Sequence, residues 1–288
     1  MTSANELLRL LELKQLDEAT FEGVSKTIGS PNVFGGQVLA QAVNAAYRTI
    51  HNNRVLHSLH GYFLEAGDLE QPIQFSVNEV RDGGSFSTRR VLASQSGKAI
   101  FILAASFHKD EQGYDHQIEM NTSLKQPEEL LSWSEMLTQF GHVLPVLTKR
   151  FLEIDRPIMF KPVEVVNPLK QENLPPYSNV WFKLKAPLTD SSLAVKQQIL
   201  TYISDYNILA AALLPHASKA HFGNTQMASL DHSMWFFRDF DYNDWMLYSI
   251  ETPNASNARG FAKGNIFSRE GKLIACVAQE GLMRPLVK

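Results

Sequence analysis

Hydrophobic and polar positions follow the same order in two separate stretches of the chain. Residues 55–107 and 228–283 each open with His-Ser and an aromatic cluster, pass through a polar turn into an alternating strand, and close with a Gly-Lys turn and an apolar strand. Alternation with a period of two predicts antiparallel strands joined by tight turns. Corresponding residues such as His57 and His232 are 175 positions apart. A period this long indicates a duplicated domain and not a solenoid, whose repeats are much shorter.

A helical pattern precedes each of these stretches. The pattern predicts helices over residues 35–50 and roughly 191–214, with short strands ahead of them over 19–24 and over 162–166 with 179–184. Each half is therefore predicted to form a strand, a long helix and about four antiparallel strands. A long helix laid across such a sheet covers its apolar face, which favours an α+β fold. Chance similarity between hairpins is the competing explanation of the repeat.

The segment between the two halves has a different character. Residues 109–129 are mostly polar and predict a loop, and residues 130–154 show helical periodicity interrupted at Pro145. We therefore expect an N-terminal domain over 1–108, a linker with helix over 109–154 and a C-terminal domain over 155–288. The first sixteen residues alternate leucines with charges, which predicts an amphipathic helix and not a signal peptide.

Composition narrows the class of protein. The 288 residues are 44% hydrophobic, and 27 basic against 30 acidic residues give a net charge of −3. No basic stripe dominates, so we expect neither nucleic acid nor a membrane surface as partner. The single cysteine, Cys276, excludes an internal disulfide framework. No apolar run approaches the ~20 residues of a membrane span. A cytoplasmic protein without membrane insertion is the expectation.

Few residues match a known catalytic, phosphate-binding or metal-binding motif. The sequence has no nucleophile elbow, phosphate-binding glycine loop or zinc-binding histidine pair. Asp205 is the exception, because it stands among apolar residues of the second predicted helix, where a carboxylate needs partners or a wet groove. Strand alternation places Ser229 on one face and His232 on the other, with Gln279 beside Ala275 and Val277. An acid, a hydroxyl and an amide meeting at a helix–sheet seam could hold a water for general-base chemistry.

The chain resembles the bacterial acyl-CoA thioesterases of the thioesterase II type, the double-hotdog family. The resemblance covers nearly the whole length and implies a tandem hotdog, in which each half is a long helix wrapped by a curved antiparallel sheet. It also implies a catalytic trio of Asp205, Ser229 and Gln279. The segments that carry it are "VFGGQVLAQA" (33–42), "LHSLHGYFLEAGD" (56–68), "RDGGSFSTRRV" (81–91), "SDYNIL" (204–209), "DHSMWFFRDF" (231–240), "NARGF" (257–261) and "QEGLMR" (279–284).

Two positions depart from the family pattern. The hydroxyl position is often threonine and here is Ser229, which keeps the donor and acceptor but loses the methyl group that restricts the rotamer. The family's "FLRPGD" is "FLEAGD" here, so that Glu65-Ala66 replaces a rigid basic turn. If that arginine helps to bind the anionic coenzyme, we expect weaker binding or the use of another basic residue.

Further residues are candidates for contact with substrate. Gly35 and Gly36 open the first predicted helix, where backbone amides could stabilise an oxyanion, or where glycines simply permit close packing. His57 has a histidine counterpart in the family, and we expect it to be structural because the trio already supplies a base. The remaining candidates for contact with the acyl chain or the coenzyme phosphates are Arg89, Arg90, Trp235 and Arg259.

The resemblance implies hydrolysis of fatty acyl-CoA to free acid and coenzyme A, with Asp205 activating water. No cofactor or metal is expected, and acyl-CoA is the expected partner. A homo-oligomer, dimer or tetramer, is also implied. Two alternative functions remain. The first is a hotdog hydratase or dehydratase, which would need a catalytic histidine paired with an acid on the helix. The second is a non-catalytic acyl-CoA sensor, which would not require the trio.

Overall fold

Thirteen strands form one antiparallel sheet in the computed structural model, which describes residues 3–51, 53–165, 167, 170, 172–188 and 192–286. The strands are β1 (Lys14–Gln15), β2 (Thr20–Gly23), β3 (Val55–Phe63), β4 (Ile73–Asp82), β5 (Phe86–Gln95), β6 (Lys98–His108), β7 (Ile158–Pro162), β8 (Tyr177–Leu184), β9 (Thr225–Ser229), β10 (Asp231–Phe236), β11 (Met246–Ser256), β12 (Arg259–Ser268) and β13 (Leu273–Pro285). The helices are α1 (Ala4–Leu11), α2 (Gly35–Tyr47), α3 (Trp133–Phe140), α4 (Val146–Glu153), α5 (Leu193–Ser204) and α6 (Ile208–Ala211).

The sheet has the duplicated organisation that the sequence predicts. One half orders its strands β4-β5-β6-β3 and the other β11-β12-β13-β10, and the two join where β3 pairs with β10. At this junction Leu59 lies opposite Met234 in antiparallel register. The α+β double arrangement of helix and antiparallel sheet is therefore confirmed. Because the strands pair across the junction, the two halves share one continuous sheet.

The two long helices cover the inner face of the sheet and contact each other. Most side chains of α2 and α5 are buried, and they belong to a core that continues from one half into the other. Polar contacts tie α5 to the first half, since Asn44 Nδ2 of α2 donates to Gln198 Oε1 at 2.9 Å and Gln197 Nε2 donates to the Leu56 carbonyl of β3 at 2.8 Å. The seam between the halves thus combines apolar packing with directional hydrogen bonds.

Smaller sequence predictions are also confirmed. The amphipathic N-terminal helix is α1, capped by Ser3 and buried along its leucine face. The Gly97 turn is a two-residue hairpin in which Ser96 and Gly97 both have positive φ, as a type I′ turn requires. The linker helix is interrupted at Pro145, which precedes α4. No helix in the described ranges is long and apolar enough to cross a membrane.

Two predicted elements are wrong. The predicted strand over 162–166 is β7, which ends at Pro162. The Val163 N–H still donates to the Asn179 carbonyl at 2.9 Å, but the Asn179 N–H donates to the Glu164 carboxylate at 2.7 Å and not to a backbone carbonyl, so the ladder stops there. The predicted helix over 191–214 is not continuous, because α5 ends at Ser204 and Asn207 adopts a left-handed conformation with φ 69° before α6 begins. Asparagine tolerates that conformation better than most residues. Val166 and Ser191, which bound two of the predictions, lie outside the described residues.

Candidate active site

The break in the second helix determines where Asp205 points. Asp205 is the C-cap of α5 and its side chain is only 5% exposed. The Gly36 backbone N–H donates to Asp205 Oδ2 at 2.8 Å, and Gln279 Nε2 donates to Oδ1 at 3.2 Å. Each carboxylate oxygen thus accepts an N–H donor in this enclosed position. The site therefore lies at the seam, with the first half holding an acid of the second.

Ser229 reaches the same place because of an irregularity between two strands. β13 pairs Gly281 with Ser229 of β9 and Ala278 with Ser233 of β10. Four residue steps from Ser229 to Ser233 therefore lie opposite only three steps along β13. The extra residue is a bulge, which reverses the alternation of faces. The prediction that Ser229 and His232 lie on opposite faces is therefore wrong: both point to the inner face, towards Gln279.

Gln279 is fully buried and connects the other polar groups. Its Nε2 donates to Asp205 Oδ1 and, at 2.6 Å, to Ser229 Oγ. Its Oε1 accepts from His232 Nδ1 at 2.7 Å. The three residues that the resemblance implied as a trio are thus joined in one hydrogen-bonded cluster, although they stand 24 to 74 residues apart in the chain.

His232 is the member of this cluster that sequence reasoning did not assign. Its ring is completely buried, with Nδ1 4.0 Å from Asp205 Oδ1 and Nε2 2.9 Å from Ser204 Oγ. Burial lowers the pKa of His232 below its ordinary value, and the nearby Asp205 carboxylate only partly opposes that shift. The Asp-His-Ser-Met-Trp motif was the available signal, but strict alternation placed the histidine on the wrong face.

The glycine pair is explained by close packing. A Cβ at Gly36 would lie 2.5 Å from the Tyr202 carbonyl oxygen, and a Cβ at Gly35 would lie 2.9 Å from Asp205 Oδ2. The Gly36 N–H is bonded to Asp205, so it supports the acid and not a substrate oxyanion. The ring of Phe63 lies beside Gly35, 3.1 Å from the same added Cβ, and forms an apolar neighbour of Asp205.

Most of the other substrate-contact candidates lie away from the cluster. Arg89 is fully buried and bonded to Glu79, Asp82 and Thr49, so it has no surface for a phosphate. Trp235 lies opposite Cys276, on the face of β13 turned away from Gln279, and Arg90 lies on the outer face opposite Ala104.

His57 and Arg259 have structural partners. His57 Nε2 lies 2.8 Å from Ser106 Oγ and its ring packs on Phe86 and His108, which fits the structural role expected for it. Burial, with a smaller contribution from His108, lowers the pKa of His57. The Nε of Arg259 donates to Glu280 at 2.9 Å. Neither residue contacts Asp205, Ser229 or Gln279.

A cavity of about 650 Å³ lies further along the same face of the sheet. Its wall includes Thr225 of β9 and Met283 of β13, each four residues from Ser229 and Gln279 respectively. At about 3.3 Å per residue this separation is about 13 Å. His216, Lys219 and Arg259 also line the cavity. Basic groups therefore stand at a distance from the cluster, and no acidic residue is among the described lining residues.

Comparison with solved structures first defines the class of fold. A hotdog-fold protein from Alicyclobacillus acidocaldarius superposes with a TM-score of 0.76 at 15% identity, over 97% of this chain and 98% of its own. An acyl-CoA thioesterase II from Mycobacterium marinum superposes with a TM-score of 0.79 at 35% identity, over 96% and 97%. The molecule is a double hotdog, as predicted.

Sequence comparison then gives the family. A model described as acyl-CoA thioesterase matches residues 147–282, and one described as acyl-CoA thioesterase N-terminal domain matches 23–108. Acyl-CoA thioesterase 2 of Haemophilus influenzae is 38% identical over 280 residues, 97% of each chain. Human acyl-coenzyme A thioesterase 8 is 38% identical over 96% of this chain and 88% of its own. The chain belongs to the acyl-CoA thioesterase family, and the predicted thioester hydrolase is confirmed.

Proposed function

We propose that this chain hydrolyses fatty acyl-CoA with Asp205 as the general base. The cluster of Asp205, Ser229 and Gln279 at the seam carries the proposal, because it combines a carboxyl group, a hydroxyl and an amide in one enclosed place. Acyl-CoA thioester hydrolysis is the activity of the family to which the chain belongs. The side chains and water suffice for the steps below, without a cofactor.

The hydrogen bonds divide the work among the three residues. Asp205 takes a proton from a water as that oxygen attacks the thioester carbonyl carbon. Ser229 Oγ already accepts from Gln279, so its own O–H is free to donate to the carbonyl oxygen, where negative charge develops. When the C–S bond breaks, the departing thiolate receives the proton from Asp205. The products are the carboxylic acid and the thiol of coenzyme A.

Gln279 acts through its neighbours. Both of its N–H bonds are directed at protein groups, Asp205 and Ser229, so it holds the base and the hydroxyl and does not itself contact the tetrahedral oxygen. This role differs from the expectation from sequence that Gln279 orients the water or the tetrahedral oxygen. A glutamine suits it because one planar amide presents two donors on one side and an acceptor on the other.

The cavity along the sheet gives room for part of the coenzyme. A substrate with its thioester at Asp205 and its phosphates near Lys219 would extend along β9 and β13, with the half-buried Leu209 on Gly281 between them. The basic lining suits the phosphates. Arg259 keeps its predicted place as a phosphate contact in this arrangement, through the N–H groups that Glu280 leaves unbonded.

The homo-oligomer and the cytoplasmic location are also part of the proposal. Tyr62, Leu92 and Ile102 lie next to one another on the outer face of β3, β5 and β6, and each is more than a third exposed. An apolar group of this kind on a sheet face suits contact with a second copy. The single cysteine, with its thiol free, suits a reducing compartment.

Replacing the proposed base tests the mechanism. Asp205→Asn should lower kcat for acyl-CoA by about 10²-fold or more, because the amide cannot accept the proton of water, while the thermal unfolding midpoint changes little. The measurement is release of free thiol from a series of acyl-CoAs.

Asp231→Asn is the matched control. The Asp231 carboxylate lies near the site but accepts from the Glu280 backbone N–H, a bond that an asparagine oxygen can keep. Near-normal turnover by Asp205→Asn, or an equal loss in both variants, would refute the assignment of Asp205.

A further inference from the structure

His232 is a buried, titratable group that the steps above leave without a role. It is enclosed by Ser204 at the end of α5 and by Gln279 on β13, with Asp205 next to them. Tyr248 supports the same corner, since its hydroxyl donates to the Ser204 carbonyl at 3.1 Å. A buried polar ring with a partner at each nitrogen has a defined pattern of donors and acceptors.

That pattern follows from the chemistry of Asp205. A carboxylate only accepts hydrogen bonds, so the Gln279 amide must turn its Nε2 towards Asp205 Oδ1. Its Oε1 then faces His232 Nδ1 at 2.7 Å, and two acceptors cannot face each other at that distance. His232 Nδ1 therefore carries a proton.

The second ring nitrogen of His232, Nε2, fixes the direction of the hydrogen bond with Ser204. Burial disfavours the charged imidazolium, so Nε2 is an acceptor in the neutral ring. Ser204 Oγ lies 2.9 Å from Nε2 and 2.8 Å from the Thr201 carbonyl oxygen, to which its O–H can also donate. Beside a neutral ring the single O–H proton must instead point at Nε2, because the hydroxyl oxygen and the unprotonated nitrogen would otherwise face each other as two acceptors. The hydrogen bonds then run in one direction, from Ser204 to His232 to Gln279 and on to Asp205 and Ser229.

The structure assigns His232 as a positioning residue: its Nδ1–H, acting together with the Asp205 carboxylate, holds the Gln279 amide in the one orientation that leaves the Ser229 hydroxyl free to donate to the substrate. With the amide reversed, Oε1 would face Asp205 and Ser229 together. Ser229 would then donate inward to Oε1, and the carbonyl oxygen of the substrate would lose its donor. The assignment rests on the proposed function, because it explains how that site keeps its polarity.

Two variants of similar size separate this role from a structural one. Asparagine at position 232 can place an N–H near the site of Nδ1, whereas leucine fills the space without a donor. We expect His232→Asn to keep kcat within about tenfold of the wild type and His232→Leu to lose about 10²-fold, with KM little changed in both, since a misdirected catalytic group costs rate and not affinity. Leucine is apolar and suits a buried site, so the thermal unfolding midpoint of His232→Leu should be no lower than that of His232→Asn.

Nitrogen-15 spectra of histidine-labelled enzyme provide the direct readout. The His232 signals, identified by their loss in His232→Asn, should show a protonated Nδ1 and an unprotonated Nε2 at neutral pH. An Nε2–H tautomer would overturn the assignment. So would full activity in His232→Leu, or activity that simply follows stability across the two variants. These outcomes leave the proposed function untouched as long as the wild type hydrolyses acyl-CoA and Asp205→Asn does not.

Discussion

At the scale of single residues, the site depends on polar groups that are buried but fully bonded. Asp205, Gln279 and His232 all lie in the interior, where an unbonded polar group would cost about 1–3 kcal/mol. Each instead has two or more partners at 2.6 to 3.2 Å. The bonds hold the side chains in place before substrate arrives, which is the condition for electrostatic preorganisation.

The buried histidine makes stability depend on pH. Burial lowers the pKa of folded His232 below the 6.5 of an ordinary histidine, so the unfolded chain takes up this proton at a higher pH than the folded one. The stabilisation from the neutral ring is complete above about pH 6.5 and is lost as the pH falls through the lowered pKa.

We therefore expect the free energy of unfolding to fall between pH 7 and pH 5, with a single such proton contributing at most about 1.4 kcal/mol per pH unit. The fall should be shallower in His232→Asn, as measured by urea unfolding at several pH values. The pKa of His57 is also lowered, so His57 contributes a slope of the same sign to the wild type and to His232→Asn alike. An identical slope in the two proteins would show that His232 is not the group that titrates.

At the scale of elements, the crossing of α2 and α5 sets the position of Asp205, the proposed base. The helices approach so closely that Gly36 has no room for a side chain next to the Tyr202 carbonyl. The break after α5 leaves the Asp205 carboxylate facing the start of α2, whose first N–H groups have no partners within the helix. The helix of one half thus supplies the donor that the acid of the other half needs.

Alanine substitutions at the two glycines should have different effects. Gly36→Ala places a Cβ 2.5 Å from a backbone oxygen, which cannot move without separating the helices, and should cost about 1–3 kcal/mol of stability. Gly35→Ala meets the side chains of Asp205 and Phe63, which can yield. It should fold normally but lower kcat by about tenfold or more through a displaced base.

Thermal unfolding and steady-state kinetics of both variants make this comparison. Gly84→Ala is the control, because a Cβ there has no heavy atom within 4 Å. If Gly35→Ala left kcat unchanged, close contact with Asp205 would not matter to catalysis.

At the scale of the whole molecule, one sheet faces two environments. Its inner face packs on the helices and carries the site, and its outer face exposes Tyr62, Leu92 and Ile102. The proposed association of copies would cover this apolar group while leaving the inner face unchanged. Oligomer formation and chemistry would therefore use opposite faces of the same strands.

An acidic substitution on the outer face should weaken association. Ile102→Glu would place a charge within the apolar group, and we expect a smaller mass by light scattering coupled to size-exclusion chromatography, since an unpaired charge in an interface is unfavourable. Tyr114→Glu, at a fully exposed linker position, is the control for adding the same charge. A wild type of monomer mass, or an Ile102→Glu variant of unchanged mass, would contradict the proposal.

The sequence by itself determined the duplicated α+β fold and the family, and it pointed to the three polar residues that meet at the seam. These depend on features written along the chain: alternation, turn glycines and distinctive segments such as "SDYNIL" and "QEGLMR". Local preferences report the period of a strand or helix because that period is fixed by backbone geometry.

Only the tertiary structure decided where those residues point. The helix breaks at Asn207 and the strand bulges near Leu230, and each event moves the neighbouring side chains to a new face. The bulge brought His232 into the site, and burial removed Arg89 from contact with solvent. Such outcomes follow from packing between segments far apart in the chain, and a one-residue shift in register reverses which face a side chain occupies. Strict periodicity within one segment cannot contain that information.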